Sequence, residues 1–207
     1  MDTIINHIQL SGLLGLLGGY FLGSIPFGLA LCYLFGYGDI RNIGSGNIGA
    51  TNVLRTGNKF LAALTLILDS SKGLIAVLVA SSFFDAHAMF GAALGAVVGH
   101  NFPVWLKFKG GKGVATTLGT LIGLSWPVGL ACCGIWLVTA YLTRISSLSA
   151  LMALALAPLF TVGFGNPHQV YLVGTLSLLG WARHHANIKR LLEGTEPKIG
   201  QKKDVPS

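Results

Sequence analysis

Charge is what this sequence has least of. Only 10% of its 207 residues are charged, against roughly a quarter in an ordinary soluble domain. Acidic residues are the scarcer sign, with 7 Asp and Glu against 14 Lys and Arg. The uncharged runs 3–38, 86–106, 113–143 and 145–182 are long enough for membrane helices, which need about 20 apolar residues. A mean hydropathy of +0.67 agrees. A soluble enzyme is excluded; the chain reads as an all-α integral membrane protein. Cysteine is nearly absent too: Cys32, Cys132 and Cys133 lack redox or metal-ligand spacing and read as small core residues. No His, Cys and carboxylate cluster has metal-site spacing, so no metal and no cofactor is expected. A Gly-x-Ser-x-Gly elbow is missing. No carboxylate follows any of the 6 histidines at the His-x-x-x-x-Asp spacing of an acyltransferase dyad. A basic n-region is absent as well, and the apolar stretch from Leu10 is too long for a cleaved signal peptide. It reads as the first membrane helix. The net charge of +7 is that of positive-inside loops rather than of a nucleic-acid binder.

The few charges that exist are sorted. Asp2 and Asp85 stand without basic neighbours. Arg41, Arg55 and Lys59 follow the first apolar run, Lys107, Lys109 and Lys112 the third. Arg144 interrupts the distal region, and Arg183, Lys189, Arg190, Lys198, Lys202 and Lys203 crowd the C-terminal part. Putting every basic cluster in the cytoplasm and both aspartates outside predicts an outside N-terminus and a cytoplasmic C-terminus. Helices then fall near 10–36, 60–84 and 87–106. Keeping Lys112 and Arg144 on one side requires 113–143 to enter and return, turning near Ser125-Trp126-Pro127. Two more crossings turn near Gly165-Asn166-Pro167. About seven transmembrane segments result; five full spans plus a re-entrant hairpin is the alternative. Residues 1–207 form a single polytopic domain with a flexible polar tail from about 197. Ser24-Ile25-Pro26 marks a kink in the first helix.

What remains between the apolar runs is glycine and small polar residues. The segment 44–52 places Gly44, Gly46 and Gly49 among Ser45, Asn47, Ala50, Thr51 and Asn52, with Arg55 three residues further on. Glycine lets backbone N–H groups turn toward an anion, and a guanidinium suits bidentate phosphate capture. The bland reading is a loop in which Thr51 or Asn52 caps the next helix. Gly110-Gly111-Lys112-Gly113, followed by Thr116, resembles the end of a nucleotide P-loop. Walker A, however, requires glycine at 106 and a hydroxyl residue at 113; Leu and Gly stand there. A lysine in a glycine nest at a helix start is left, a phosphate site or a topology signal.

His184 and Asn187 are three apart and share a helical face. They read as substrate-orienting groups or as part of an interfacial basic anchor. Glu196 reads as a tether that pairs with a loop cation. Asp69 and Lys72 lie mid-membrane at i, i+3 spacing, a costly placement that reads as an intrahelical pair in a polar interior. His100-Asn101 reads as site wall or helix terminus.

Taken together, six stretches resemble one known family. They are Gly23-Ser24-Ile25-Pro26-Phe27-Gly28, the run from Arg41 to Asn52, Leu68-Asp69-Ser70-Ser71-Lys72-Gly73, Gly99-His100-Asn101-Phe102-Pro103-Val104, the run from Phe108 to Thr116, and the run from His184 to Leu191. In this order they resemble the bacterial acyl-phosphate-dependent glycerol-3-phosphate acyltransferases, the PlsY family, from about Gly15 to Glu196. The resemblance implies transfer of an acyl group from fatty acyl phosphate to the sn-1 hydroxyl of glycerol 3-phosphate. The products are lysophosphatidate and phosphate, formed at the bacterial cytoplasmic membrane with the site facing the cytoplasm. It implies essential roles for Ser45 and Arg55, glycerol 3-phosphate binding by the 110–113 loop, roles for His184 and Asn187, and a structural Glu196. Expected catalytic residues are therefore Ser45, Arg55, Lys112, His184 and Asn187. Expected partners are glycerol 3-phosphate, fatty acyl phosphate and membrane lipid; docking of the soluble enzyme that forms the acyl phosphate stays open. Without the resemblance, a transporter of organic phosphate and a membrane scaffold are the rival readings.

Overall fold

The computed structural model describes residues 2–200; Lys202 and Lys203 of the basic tail lie outside the described residues. Its helices are α1 (Asp2–Gly23), α2 (Phe27–Leu34), α3 (Ala50–Val53), α4 (Lys59–Phe83), α5 (Ala86–Asn101), α6 (Val114–Leu124), α7 (Trp126–Thr143), α8 (Ser146–Phe164), α9 (Val170–Arg183) and α10 (His185–Leu192). Five stretches among the described residues are long and apolar enough to cross a membrane: Gln9–Leu34, Lys59–Phe83, Ala86–Leu106, Trp126–Thr143 and Ser146–Phe164. Helix α6 has 11 residues and α9 has 14. At 1.5 Å per residue, α6 reaches only about 16 Å, roughly half a bilayer core. The two turns expected after 113 are present: Ser125 separates α6 from α7, and 165–169 separates α8 from α9.

Glycine decides how the first helices meet. In lipid no hydrophobic force drives helices together, so close backbone approach between small residues takes its place. Gly15, Gly19 and Gly23 face Ala88, Ala92 and Ala96 of α5, and a Cβ on Gly19 would collide with the Ala92 carbonyl. On the other helix, Gly91, Gly95 and Gly99 receive Gly12, Leu16 and Tyr20. The paired numbers rise together, so α1 and α5 run parallel. Parallel packing also joins α4 to α6, where Gly119 rests on the Ser70 carbonyl and Gly123 on Val77.

The break between α1 and α2 falls at the expected Ser24-Ile25-Pro26. Proline removes a backbone donor, and Lys72 Nζ, reaching across from α4, donates to the Ile25 carbonyl at 3.0 Å. The same ammonium pairs with Asp69 at 2.9 Å, both side chains at most 3% exposed. The expected intrahelical pair therefore exists and also braces the kink. Asn58, and neither Thr51 nor Asn52, caps α4, accepting from Leu61 N at 3.0 Å. Asp85 caps α5 through Ala88 N at 2.9 Å. Cys32 and Cys132 are buried, but Cys133 is only half-buried and lines a large cavity, a correction to its reading as a core residue.

Candidate active site

The first polar loop is organised by one amide. Asn52 is 2% exposed. Its Nδ2 donates to the carbonyls of Ile40, Ile43 and Asn47 at 2.8–3.0 Å. Its Oδ1 accepts from Ser45 N at 3.0 Å, Ser45 Oγ at 3.2 Å and Arg55 Nη1 at 3.4 Å. Every polar atom of Asn52 is thus occupied inside the loop, which makes it a scaffold for Ser45 and Arg55. Gly44 must be glycine twice over. Its φ is +58°, and a Cβ would run into Arg55 and Asn52 Oδ1. Asn47 Oδ1 is likewise spent on Gly49 N, and Thr51 Oγ1 meets Ser146 Oγ of α8 at 3.1 Å.

The second loop folds back on the end of α5. Terminal helix carbonyls lack intrahelical partners, and two of them are used here: Asn101 O accepts from Gly110 N at 3.2 Å and His100 O from Gly111 N at 3.0 Å. Side chains at 111 and 113 would strike His100 and Asn101, so the loop lies flat on that turn. Gly113, at φ +80°, starts α6. Lys112 leaves the loop and donates to Asn187 Oδ1 at 2.5 Å.

Asn187 extends the chain of contacts. Its Nδ2 donates to Glu196 Oε1 at 2.5 Å. Glu196 also accepts from Ser147 Oγ at 2.7 Å and pairs with Arg190 Nε at 2.6 Å. The tether therefore grips a cation on α10, where a loop cation was expected. Beyond it, Ile199 N donates to Arg144 O and Arg144 Nη2 to Ile199 O, so the start of the tail is fastened as far as 199.

Burial sets the charges. It pulls the Lys112 ammonium down to about 8, with Glu196 opposing and Arg190, Arg55 and Arg183 adding to the shift. Burial also takes His184 to about 4, opposed by its bond to Gly180 and by Glu196 and reinforced by Lys112 and Arg183. The ring is neutral near pH 7. Its Nδ1 lies 2.7 Å from the Gly180 carbonyl, which can only accept, so Nδ1 carries the hydrogen and Nε2 is left as an acceptor. For Glu196 burial acts upward, but the bonds from Ser147, Asn187 and Arg190 together outweigh it and hold the carboxylate below its ordinary value. Arg55 is lowered by burial yet remains a cation.

These groups converge on one cavity of about 1710 Å³. Its wall carries Gly44, Ser45, Asn47, Gly49, Ala50, Thr51, Asn52, Arg55, Asp69, Lys112, Gly113, His184, Asn187 and Glu196. Five expected site residues stand off the wall. Gly46 serves a turn at φ +69°, Gly110 and Gly111 pack on α5, and Thr116 is fully buried with its carbonyl against Gly73 of α4. Lys72 lies behind Asp69. The wall also holds residues that sequence reasoning missed. Arg190 was visible only as part of a basic run, although it follows Asn187 by one helical step. Ser146 and Ser147 gave no signal. An apolar arm formed by Leu66, Leu118, Ile122, Trp136 and Leu137 was hidden because those residues read as ordinary membrane helix. His100 lines the cavity too, so it is both helix terminus and wall. Among the described residues no group of three His, Cys, Asp or Glu is placed to hold a metal ion.

The chain and its fold have known relatives. A family model described as glycerol-3-phosphate acyltransferase matches residues 13–194. The chain is 59% identical over 191 residues to the glycerol-3-phosphate acyltransferase of Paramagnetospirillum magneticum, covering 92% of this chain and 95% of that one. It is 60% identical over 195 residues to that of Rhodospirillum rubrum, covering 90% of each. Among solved structures it is similar to PlsY (YgiH), an integral membrane glycerol 3-phosphate acyltransferase, in its glycerol 3-phosphate form. The TM-score there is 0.86 at 40% identity, over 92% of this chain and 96% of that one. The lysophosphatidic acid form of the same protein gives a TM-score of 0.84 at 39% identity, with the same coverage.

Proposed function

The chain belongs to the glycerol-3-phosphate acyltransferase family, and we propose that its acyl donor is a fatty acyl phosphate and its acceptor position the sn-1 hydroxyl. The products are then 1-acyl-glycerol 3-phosphate and inorganic phosphate, in bacterial phospholipid synthesis. The observation that carries this reading is the composition of the cavity. Arg55, Lys112 and Arg190 stand at its polar end and an apolar arm runs off between α4, α6 and α7. Two phosphates and one acyl chain match such a wall, and fixed cations stabilise charge without reorganising.

An acyl phosphate is a mixed anhydride with a good leaving group already in place. The acceptor hydroxyl attacks the acyl carbonyl, the carbon–oxygen bond to phosphate breaks, and phosphate leaves with the electron pair. Lys112 and Asn187 hold the glycerol 3-phosphate, while Ser45 and Arg55 hold the donor's phosphate or polarise its carbonyl. The hydroxyl donates to His184 Nε2, which orients it. With His184 at about 4 and a phosphate near 6, phosphate is the stronger base by roughly two units. The hydroxyl proton therefore finishes on phosphate, and no acyl-enzyme is needed.

Orientation follows from charge. With Asp85 at the turn between α4 and α5 and the basic loops at the opposite end, the positive-inside rule places the cavity toward the cytoplasm of the bacterial inner membrane. The proposed topology has seven crossings, with α6 and α9 as the two short ones, the N-terminus outside and the C-terminus inside. The same basic face would receive the soluble enzyme that forms the acyl phosphate.

The test uses purified protein in detergent. Inorganic phosphate should appear only when acyl phosphate and glycerol 3-phosphate are both present. Mass spectrometry after acyl phosphate alone should find Ser45 unmodified. An acylated Ser45 that passes its acyl group to glycerol 3-phosphate would overturn direct attack.

A further inference from the structure

One cation beside the cavity is not itself part of the wall. Arg183, the last residue of α9, is half-buried and points at the second loop. Its Nε donates to Gly111 O at 3.2 Å, and Nη2 donates to Gly111 O at 3.0 Å and Gly110 O at 3.3 Å. The guanidinium lies 5.0 Å from the centre of the Phe102 ring, which fixes its plane.

The loop is therefore held from two sides. Its amides at 110 and 111 are taken by the last carbonyls of α5, and its carbonyls at the same two residues by α9. In a trans peptide the carbonyl and the following N–H point in opposite directions. With Gly111 O fixed on the guanidinium, the Lys112 N–H is turned away from it. A second tie joins the same partners, because Lys112 Nζ donates to Asn187 of α10. Between these ties, at the α9–α10 junction, sits His184, anchored through Gly180.

We infer that Arg183 is a positioning residue that clamps the glycine–lysine loop to the α9–α10 junction and sets the separation between Lys112 and His184. The inference rests on the proposed reading in that Lys112 and His184 grip the two ends of glycerol 3-phosphate. A spacing that must match a substrate of fixed length tolerates little slack, since a shift of about 1 Å at reacting groups costs on the order of a hundredfold. Lysine cannot replace the clamp, because a point charge does not reach two carbonyls in one plane.

Arg183→Ala, Arg183→Lys and Lys112→Ala would be compared with the unaltered protein in detergent for KM of each substrate, kcat and melting temperature. Arg183→Ala is expected to raise KM for glycerol 3-phosphate about tenfold or more, the scale of lost charged hydrogen bonds. KM for acyl phosphate should stay within about twofold. Added guanidinium ion should recover part of the Arg183→Ala activity and none of the Lys112→Ala activity. Arg183→Lys, which keeps the charge and the stem, should fold normally and still show the KM shift. Wild-type KM values in Arg183→Lys, or a loss in Arg183→Ala that follows melting temperature and ignores guanidinium, would overturn the clamp. If Lys112→Ala and Arg183→Ala both raise KM for acyl phosphate instead, with guanidinium recovery, the clamp stands and the assignment of this loop to glycerol 3-phosphate falls.

Discussion

Two side chains do unlike work that their sequence context made look alike. Asn52 and Asn187 both lie in polar motifs and both line the cavity. Asn52 is consumed by its own loop, whereas Asn187 joins Lys112 of the second loop to Glu196 of the tail. The lysine it holds gives the site a pH signature. Burial lowers Lys112 to about 8, so its charge is present below that value and lost as pH rises through it. The proposal predicts that kcat/KM for glycerol 3-phosphate falls above about pH 8. The limb for kcat should lie higher, because bound phosphate favours the charged lysine. Lys112→Arg removes the alkaline limb, since a guanidinium does not titrate there, at the cost of a misfit in the glycine nest. On the acid side the limb belongs to substrate phosphate near 6; His184, at about 4, titrates below it. An alkaline limb that survives Lys112→Arg assigns it to another group.

At the scale of elements, glycine spacing is the packing code. Gly95 receives the backbone of Leu16 and Tyr20 from α1, so Gly95→Leu must separate two parallel helices. Overpacking of this kind costs on the order of 1–3 kcal/mol, and the melting temperature in detergent should drop by several degrees. Gly174→Leu, at a position with open space around it, serves as control and should melt as the unaltered protein does. Some of this level was legible beforehand. Pro26 announced the break between α1 and α2, and Ser125-Trp126-Pro127 the turn from α6 to α7. That the two arms of 113–143 must be short followed from the length of the run. The uneven division into 11 residues for α6 and 18 for α7 was not legible, because lipid-facing and core-facing residues are equally apolar and leave no period to read. Nor could sequence show that α8, through Ser146, would reach a loop 95 positions away.

For the whole molecule, the proposed orientation rests on how charge is sorted along the helices. Basic loops gather around one cavity, and Asp85 caps a helix at the far turn. The glycine loops were readable as candidate phosphate sites because glycine, hydroxyl and lysine have little use in lipid. The apolar arm was unreadable, since an acyl chain asks for the same residues as the bilayer. The proposed orientation has a direct check in a cysteine-free background. Ala86→Cys should react with an impermeant maleimide on intact spheroplasts, and Lys109→Cys only in inverted vesicles. The reverse pattern would invert the topology.

Donor choice reaches the centre of the account, because the cationic end of the cavity is argued to hold the phosphate of the donor as well as that of the acceptor. Purified protein would be given glycerol 3-phosphate with one acyl chain presented as acyl phosphate, as the coenzyme A thioester or as the acyl carrier protein thioester. The account predicts lysophosphatidate from acyl phosphate alone, with thioester rates at background. Equal product from either thioester would contradict it.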